Sequence, residues 1–210
     1  MAAMASIATG CATRSPSEDK PSLQGQWQTE TVQLPVTFAP DISFHGREEV
    51  HTPAGFLDPN SERFLSYAFV WRLDGAPDLS KASLEQALTR YFVGLARSVG
   101  EGQYPIDPAR IGATLAEIEG PADARPTQHV LRGKIRVLDP SRIGQYMTLH
   151  ADVRASSCEG SGHPQVVVRV SPQARTHAVW TELDSLFGAF DCAPPQERAA
   201  RQLRASAKDF

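Results

Sequence analysis

From Phe64 to Leu73 the odd positions carry Leu65, Tyr67, Phe69, Trp71 and Leu73, an apolar row at period two that predicts a strand with one face in the core. Asp74-Gly75 closes it as a turn pair. Between Ser80 and Val99 the period changes, and Leu84, Leu88, Tyr91, Phe92, Leu95 and Val99 fall on one stripe at helical spacing. Pro77-Asp78 precedes this helix, Ser80 or Ser83 can cap its first amides, and Gly100 ends it. The second half returns to alternation. Leu131, Gly133, Ile135 and Val137 share one side against Arg132, Lys134 and Arg136, and Met147, Leu149, Ala151 and Val153 oppose Thr148, His150, Asp152 and Arg154. Val166, Val168 and Val170 define a third strand, with Val167, Arg169 and Ser171 on its other side. A second amphipathic stripe, Val179, Leu183, Leu186, Phe187 and Phe190, predicts a helix over 177–190.

With weaker strands around Gln28 to Phe38 and Glu48 to Thr52, the order is strands, helix, a three-strand meander and a second helix. Strands grouped apart from helices predict an α+β domain, a mostly antiparallel sheet with two amphipathic helices packed on one face. The length of 210 residues, less an N-terminal lead, leaves room for one full core, and the domain is expected over 27–195.

Composition narrows the function classes. A net charge of -3 gives no electrostatic basis for nucleic-acid binding. After the N-terminus no apolar run approaches the roughly 20 residues that cross a bilayer, so membrane attachment would have to come from the front of the chain. There, Ile7-Ala8-Thr9-Gly10-Cys11 places small residues directly before a cysteine, behind a short apolar stretch. The segment resembles the processing site of bacterial lipoproteins, with Ala8 where that class commonly has Leu. The resemblance implies a signal-peptide remnant over 1–10, acyl chains on Cys11 and a membrane-anchored protein outside the cytoplasm. Ala12, rather than Asp, after the cysteine implies the outer membrane, facing the periplasm. Residues 11–26, with Pro16, Pro21 and mostly polar neighbours, read as the lipidated, flexible tether such a protein needs.

Lipidation of Cys11 uses one of three cysteines and leaves Cys158 and Cys192 to pair as a disulfide, which would restrain the unfolded chain by roughly 3 to 4 kcal/mol. Two reduced thiols, or a Cys158/His163 metal site without paired ligand spacing, are the alternatives.

Catalytic patterns are sparse. His45 and His51 stand six apart with Gly46 between them, which fails the i, i+4 zincin spacing, although a strand could bring His45, Glu49 and His51 to one side of a metal. Ser171, His177 and Asp184 supply the residue types of a hydrolase triad. Neither a G-x-G-x-x-G loop nor a Walker lysine motif occurs, so no cofactor is expected.

Two cationic features remain. Arg132, Lys134, Arg136, His150, Arg154 and Arg169 would collect on the outward side of the sheet with only Asp152 opposing, a surface for an acidic partner or anionic ligand. The tail over 196–210 carries Arg198, Arg201, Arg204 and Lys208 against Glu197 and Asp209, at helical spacing that could meet anionic headgroups. The stretch Gly46 to Leu73 has the density of motif-like residues expected of a family hallmark. These features predict an envelope lipoprotein that acts as a binding or accessory module for a protein partner or small ligand. The competing class is a periplasmic hydrolase or metal-dependent enzyme.

Overall fold

The computed structural model describes residues 27–100, 105–119, 129–157 and 163–186. Its strands are β1 (Trp27–Leu34), β2 (Gly46–Pro53), β3 (Tyr67–Leu73), β4 (Gly112–Glu117), β5 (His129–Leu138), β6 (Tyr146–Ser157) and β7 (Pro164–Ser171). Helix α1 (Lys81–Gly100) links β3 to β4, and α2 (Ala178–Ser185) follows β7. All seven strands form one antiparallel sheet in the order β1-β2-β3-β7-β6-β5-β4. Two meanders, β1–β3 and β4–β7, therefore meet where β3 pairs with β7. The helix between them spans the sheet, since β4 lies at the edge remote from β1.

Alternation decides what each face does. Tyr67, Phe69, Trp71 and Leu73 project with Leu131, Ile135, Leu149, Val153 and Val168 onto the α1 side, where Leu84, Leu88, Tyr91 and Phe92 of the helix meet them. Phe69 stacks on Tyr91 at 5.2 Å between ring centroids, and Trp71 packs edge-on against Phe44 at 5.7 Å. Ser80 caps α1 as its sequence allows: the Ser80 hydroxyl accepts the Ser83 amide at 3.3 Å and is itself tied to Asp78 at 2.9 Å. Midway along α1, Gly94 is forced by a close approach, because a Cβ there would sit 2.1 Å from the Phe38 carbonyl oxygen.

The helices do not share a face, contrary to the expectation from element order. The even residues Ala68 and Val70 of β3, with Val167 of β7, form a separate apolar cluster with Val179, Trp180 and Leu183 of α2 on the opposite side of the sheet. β3 and β7 are consequently covered on both sides, and all eight residues of β7 are buried. The strict alternation that suggests one solvated face holds for β5 instead, where Arg132, Lys134 and Arg136 are exposed.

Other expectations shift locally. The strand predicted from Phe64 starts at Tyr67, because Phe64 to Ser66 form a turn in which the Ser66 amide donates to the Arg63 carbonyl at 3.0 Å. The meander holds four strands, not three: β4 adds to β5 with Ala113 and Leu115 as its apolar inner positions and the charged Glu117 after them, too short and too small a pattern to stand out. β2 is an interior strand rather than a polar edge, and both Glu48 and Glu49 are buried. α2 ends at Ser185, short of the predicted 190, and Cys11, Cys158, Cys192, residues 187–190 and the 196–210 tail lie outside the described residues.

Candidate functional site: a cationic sheet face

Register assembles the outward side of β5–β7 row by row. Arg132, Asp152 and Arg169 are cross-strand neighbours on three adjacent strands, and Lys134, His150 and Ser171 form the next row. Arg154 stands two residues beyond Asp152 on β6, and Arg136 two beyond Lys134 on β5, so all six cationic positions of the sequence reading share this face. Asp152 is the one carboxylate that β5–β7 place here among the described residues.

Three guanidinium groups converge on it. Arg132 donates from Nε at 3.0 Å, Arg169 from Nη2 at 3.1 Å, and Arg175, from the turn after β7, through Nη1. Arg175 also donates to the Ala151 carbonyl at 2.7 Å and lies over the Trp180 ring at 4.6 Å, a cation–π contact. Arg169 reaches Asp184 of α2 with its other terminal nitrogen. Burial lowers the Arg169 pKa to about 10, against the attraction of Asp152, which still leaves it charged at neutral pH. His150 is held below the usual imidazole range by burial first and then by Arg175 and Lys134, against the attraction of Asp152.

The face is open on one half. α2 covers the β3/β7 side, whereas Arg132, Lys134, Arg136 and Thr148 on β5 and β6 and Thr114 and Ala116 on β4 are exposed. Beside it, Arg110 stacks on Tyr146 at 4.0 Å, with Arg136 on the same ring at 5.9 Å. The arrangement offers several fixed donors and a surplus of positive charge, which suits carboxylate or phosphate groups.

The hydrolase constellation is not assembled. The Ser171 hydroxyl is fully buried, bonded to Ser66 Oγ at 2.7 Å and accepting the Gln173 amide at 3.0 Å. His177 caps α2 through Nδ1, which accepts the Val179 amide at 3.2 Å, and Asp184 pairs with Arg169. Each residue is committed to holding the fold, and no contact joins the three among the described residues. The histidine cluster separates as well. Glu49 and His51 lie side by side at 3.9 Å, but Glu49 accepts from Arg72 Nε at 3.0 Å, His51 contacts Thr29 at 3.1 Å, and His45 precedes the strand and is exposed. No group of three or more His, Cys, Asp or Glu side chains placed to hold a metal occurs among the described residues.

Sequence reasoning missed Arg175 and Trp180, which complete the cluster from a turn without periodicity and from a helix position beside the apolar stripe. It also missed Glu48. This carboxyl is 1 % exposed on the core side of β2, bonded to Trp71 Nε1 at 3.3 Å and to the Tyr91 hydroxyl, and burial raises its pKa to about 7.

Comparison with protein families, curated proteins and solved structures returns no match. No helix among the described residues is long and apolar enough to cross a membrane.

Proposed function

We propose that the chain is a lipid-tethered binding module of the cell envelope, anchored through Cys11 at the outer membrane on the periplasmic side, which receives an acidic protein partner on the open half of the cationic face. The convergence of Arg132, Arg169 and Arg175 on a single carboxylate, with Lys134, Arg136 and His150 beside it, carries the binding half of this reading. Arg132, Arg169 and Arg175 outnumber the two carboxylates they meet, Asp152 and Asp184, so the cluster keeps a positive surplus, and the half-exposed Arg132, with Lys134 and Arg136 beside it, presents that charge to an incoming carboxylate. The anchor half is supported by Ala8 to Cys11, the polar segment behind it and the odd cysteine count, which fits one lipidated thiol and a Cys158–Cys192 disulfide.

Two measurements test it. Intact-mass analysis of the protein purified from its native envelope should show a chain beginning at an acylated Cys11 and no free thiols; an unmodified Cys11 removes the anchor. A photo-crosslinking residue at Thr148, which is exposed on this face, should give a discrete adduct in cells that Arg132→Glu with Lys134→Glu abolishes while leaving the circular dichroism unchanged. An adduct indifferent to those charge reversals, or none, overturns the acidic-partner reading.

A further inference from the structure

On the α1 side, at the end of the sheet where β3 begins and β5 ends, lies an open cavity of about 210 Å³. Its walls come from three sources: Phe92, Leu95 and Ala96 on the last turns of α1, Val137 and Leu149 on the sheet, and Phe56 and Leu65 on the loop that joins β2 to β3. Among all the lining side chains only Tyr67 bears a polar atom. A water needs two to four polar partners, so such a space disfavours ordered water, and dry apolar cavities of similar size take up apolar molecules.

The loop wall is built deliberately. Residues 54–66 fold through successive tight turns, and the loop is closed by the Leu65 amide donating to the Phe56 carbonyl at 2.9 Å. Phe56 packs edge-on to Tyr67 at 5.1 Å, and Arg63 ties the loop to Glu182 of α2 with two bonds of 2.8 and 3.1 Å. Leu65 holds φ at +46°, a left-handed conformation that costs a leucine about 1 kcal/mol, and in return its side chain is buried as part of the wall.

The opening is apolar too. The described residues leave three large hydrophobic side chains well exposed, Leu57 at 68 %, Val99 at 46 % and Ile143 at 79 %. Leu57 and Val99 line the cavity, and Ile143 lies just past Pro140, another lining residue. Two of these exposed apolar side chains, one from the loop and one from the helix end, thus meet at one opening.

We propose that this cavity holds the tail of a fatty-acyl amphiphile, separately from the cationic face. The volume accommodates about seven groups the size of a water or methylene, at about 30 Å³ each. A chain of that length fills it, while a charged head must stay outside, since the walls offer nothing to solvate it. Leu57 and Val99 then cover the next carbons of the chain.

The test uses the full-length protein and a series of n-alkyl carboxylates from six to twelve carbons displacing a dansyl-labelled undecanoic acid. Affinity should tighten about fourfold per added methylene until the cavity is full and then level off. Val99→Asp, at an exposed rim position, should weaken every member at least tenfold with the fold intact by circular dichroism, and Ala96→Leu, which fills the cavity, should do the same. Co-sedimentation of the full chain carrying Cys11→Ser, which removes the acyl anchor, with phosphatidylglycerol vesicles separates the sources. Binding of monomeric carboxylates indicates free acids, and vesicle binding alone, lost in Val99→Asp, indicates bilayer lipid. Affinity independent of chain length, benzyl alcohol binding as tightly as octanoate, or binding unchanged in both variants refutes the proposal.

Discussion

Replacing Glu48 with Gln isolates one buried ionisation. The carboxyl lies between Trp71 and Tyr91 beneath α1, and burial, resisted by the hydrogen bonds from those two side chains, moves its pKa from 4.5 to about 7. Because the folded pKa is raised, the stability this acid contributes is fully present below pH 4.5 and is lost as pH climbs through 7. In that interval the unfolded chain has already released the proton that the folded chain retains, so stability falls by about 1.4 kcal/mol per pH unit and flattens above neutrality. Over the gap of about 2.5 units the loss is about 3 kcal/mol. Gln keeps the acceptor for Trp71 Nε1 and the same shape but cannot ionise. Urea unfolding followed by tryptophan fluorescence should therefore find the two proteins nearly equal at pH 4.5 and Glu48→Gln more stable by about 3 kcal/mol at pH 8. In thermal unfolding the same difference is a rise of roughly 6 to 12 °C in Tm at pH 8. Parallel pH profiles, or a Gln variant that is less stable at pH 8, would show that Glu48 is ionised in the native core.

Gly94→Ala should destabilise by about 1 to 3 kcal/mol by chemical denaturation, reversing the gain of about 1 kcal/mol expected inside a helix, because the new Cβ meets the Phe38 carbonyl at 2.1 Å; a gain would mean that α1 moves freely off the 36–42 segment. Asp152→Asn should cost about 1 to 3 kcal/mol by leaving the buried Arg169 with the largely exposed Asp184 to balance it, and Asp152→Leu combined with Arg169→Met should recover most of that; equal losses in the single and double variants would argue against a desolvation origin. Ser171→Ala should lose about 1 to 2 kcal/mol, from its bonds to Ser66 and the Gln173 amide, without altering turnover of nitrophenyl esters; abolished turnover in a folded variant would restore the hydrolase reading.

Much of the sheet was legible because its core side is written at period two in large residues. Tyr67-Phe69-Trp71, Leu131-Ile135-Val137 and the valines of β7 each point the way their alternation predicts. α1 was legible for the same reason, with its stripe and its Ser80 cap both explicit in the chain. What alternation could not say is which helix covers which side. Ala68, Val70 and Val167 look like the unremarkable second face of buried strands, and only the packing of Val179, Trp180 and Leu183 against them shows that they form a small second core. β4 was hidden by its size. Glu48 was hidden by its neighbour, since two consecutive acids, Glu48 and Glu49, read as a polar surface although they enter opposite sides of the sheet. Parity alone puts the six cationic positions on one side of the sheet, where the register also has them. Their chemistry was not legible that way, because Arg175 and Asp184 reach the cluster from segments whose spatial position depends on the tertiary fold.

The polar character of that cluster follows from what α2 must achieve. A helix of eight residues has little stability of its own, and it docks on alanine and valine side chains, a shallow surface that would accept several orientations. Ion pairs remove the ambiguity. Glu182 is gripped by Arg63 from the β2–β3 loop, Asp184 by Arg169 from β7, and Trp180 donates from Nε1 to the Gln173 carbonyl at 3.1 Å while Arg175 lies over its ring. Apolar residues in place of Arg169 and Asp152 are expected to keep most of the stability, so net stability alone does not account for the buried pair. The geometry accounts for it: one Asp152 carboxylate, held from three directions, fixes the guanidinium groups that fix α2 and leaves Arg132 half-exposed at the edge of the open face. The interactions that orient the helix are thereby the ones that give the neighbouring surface its positive charge.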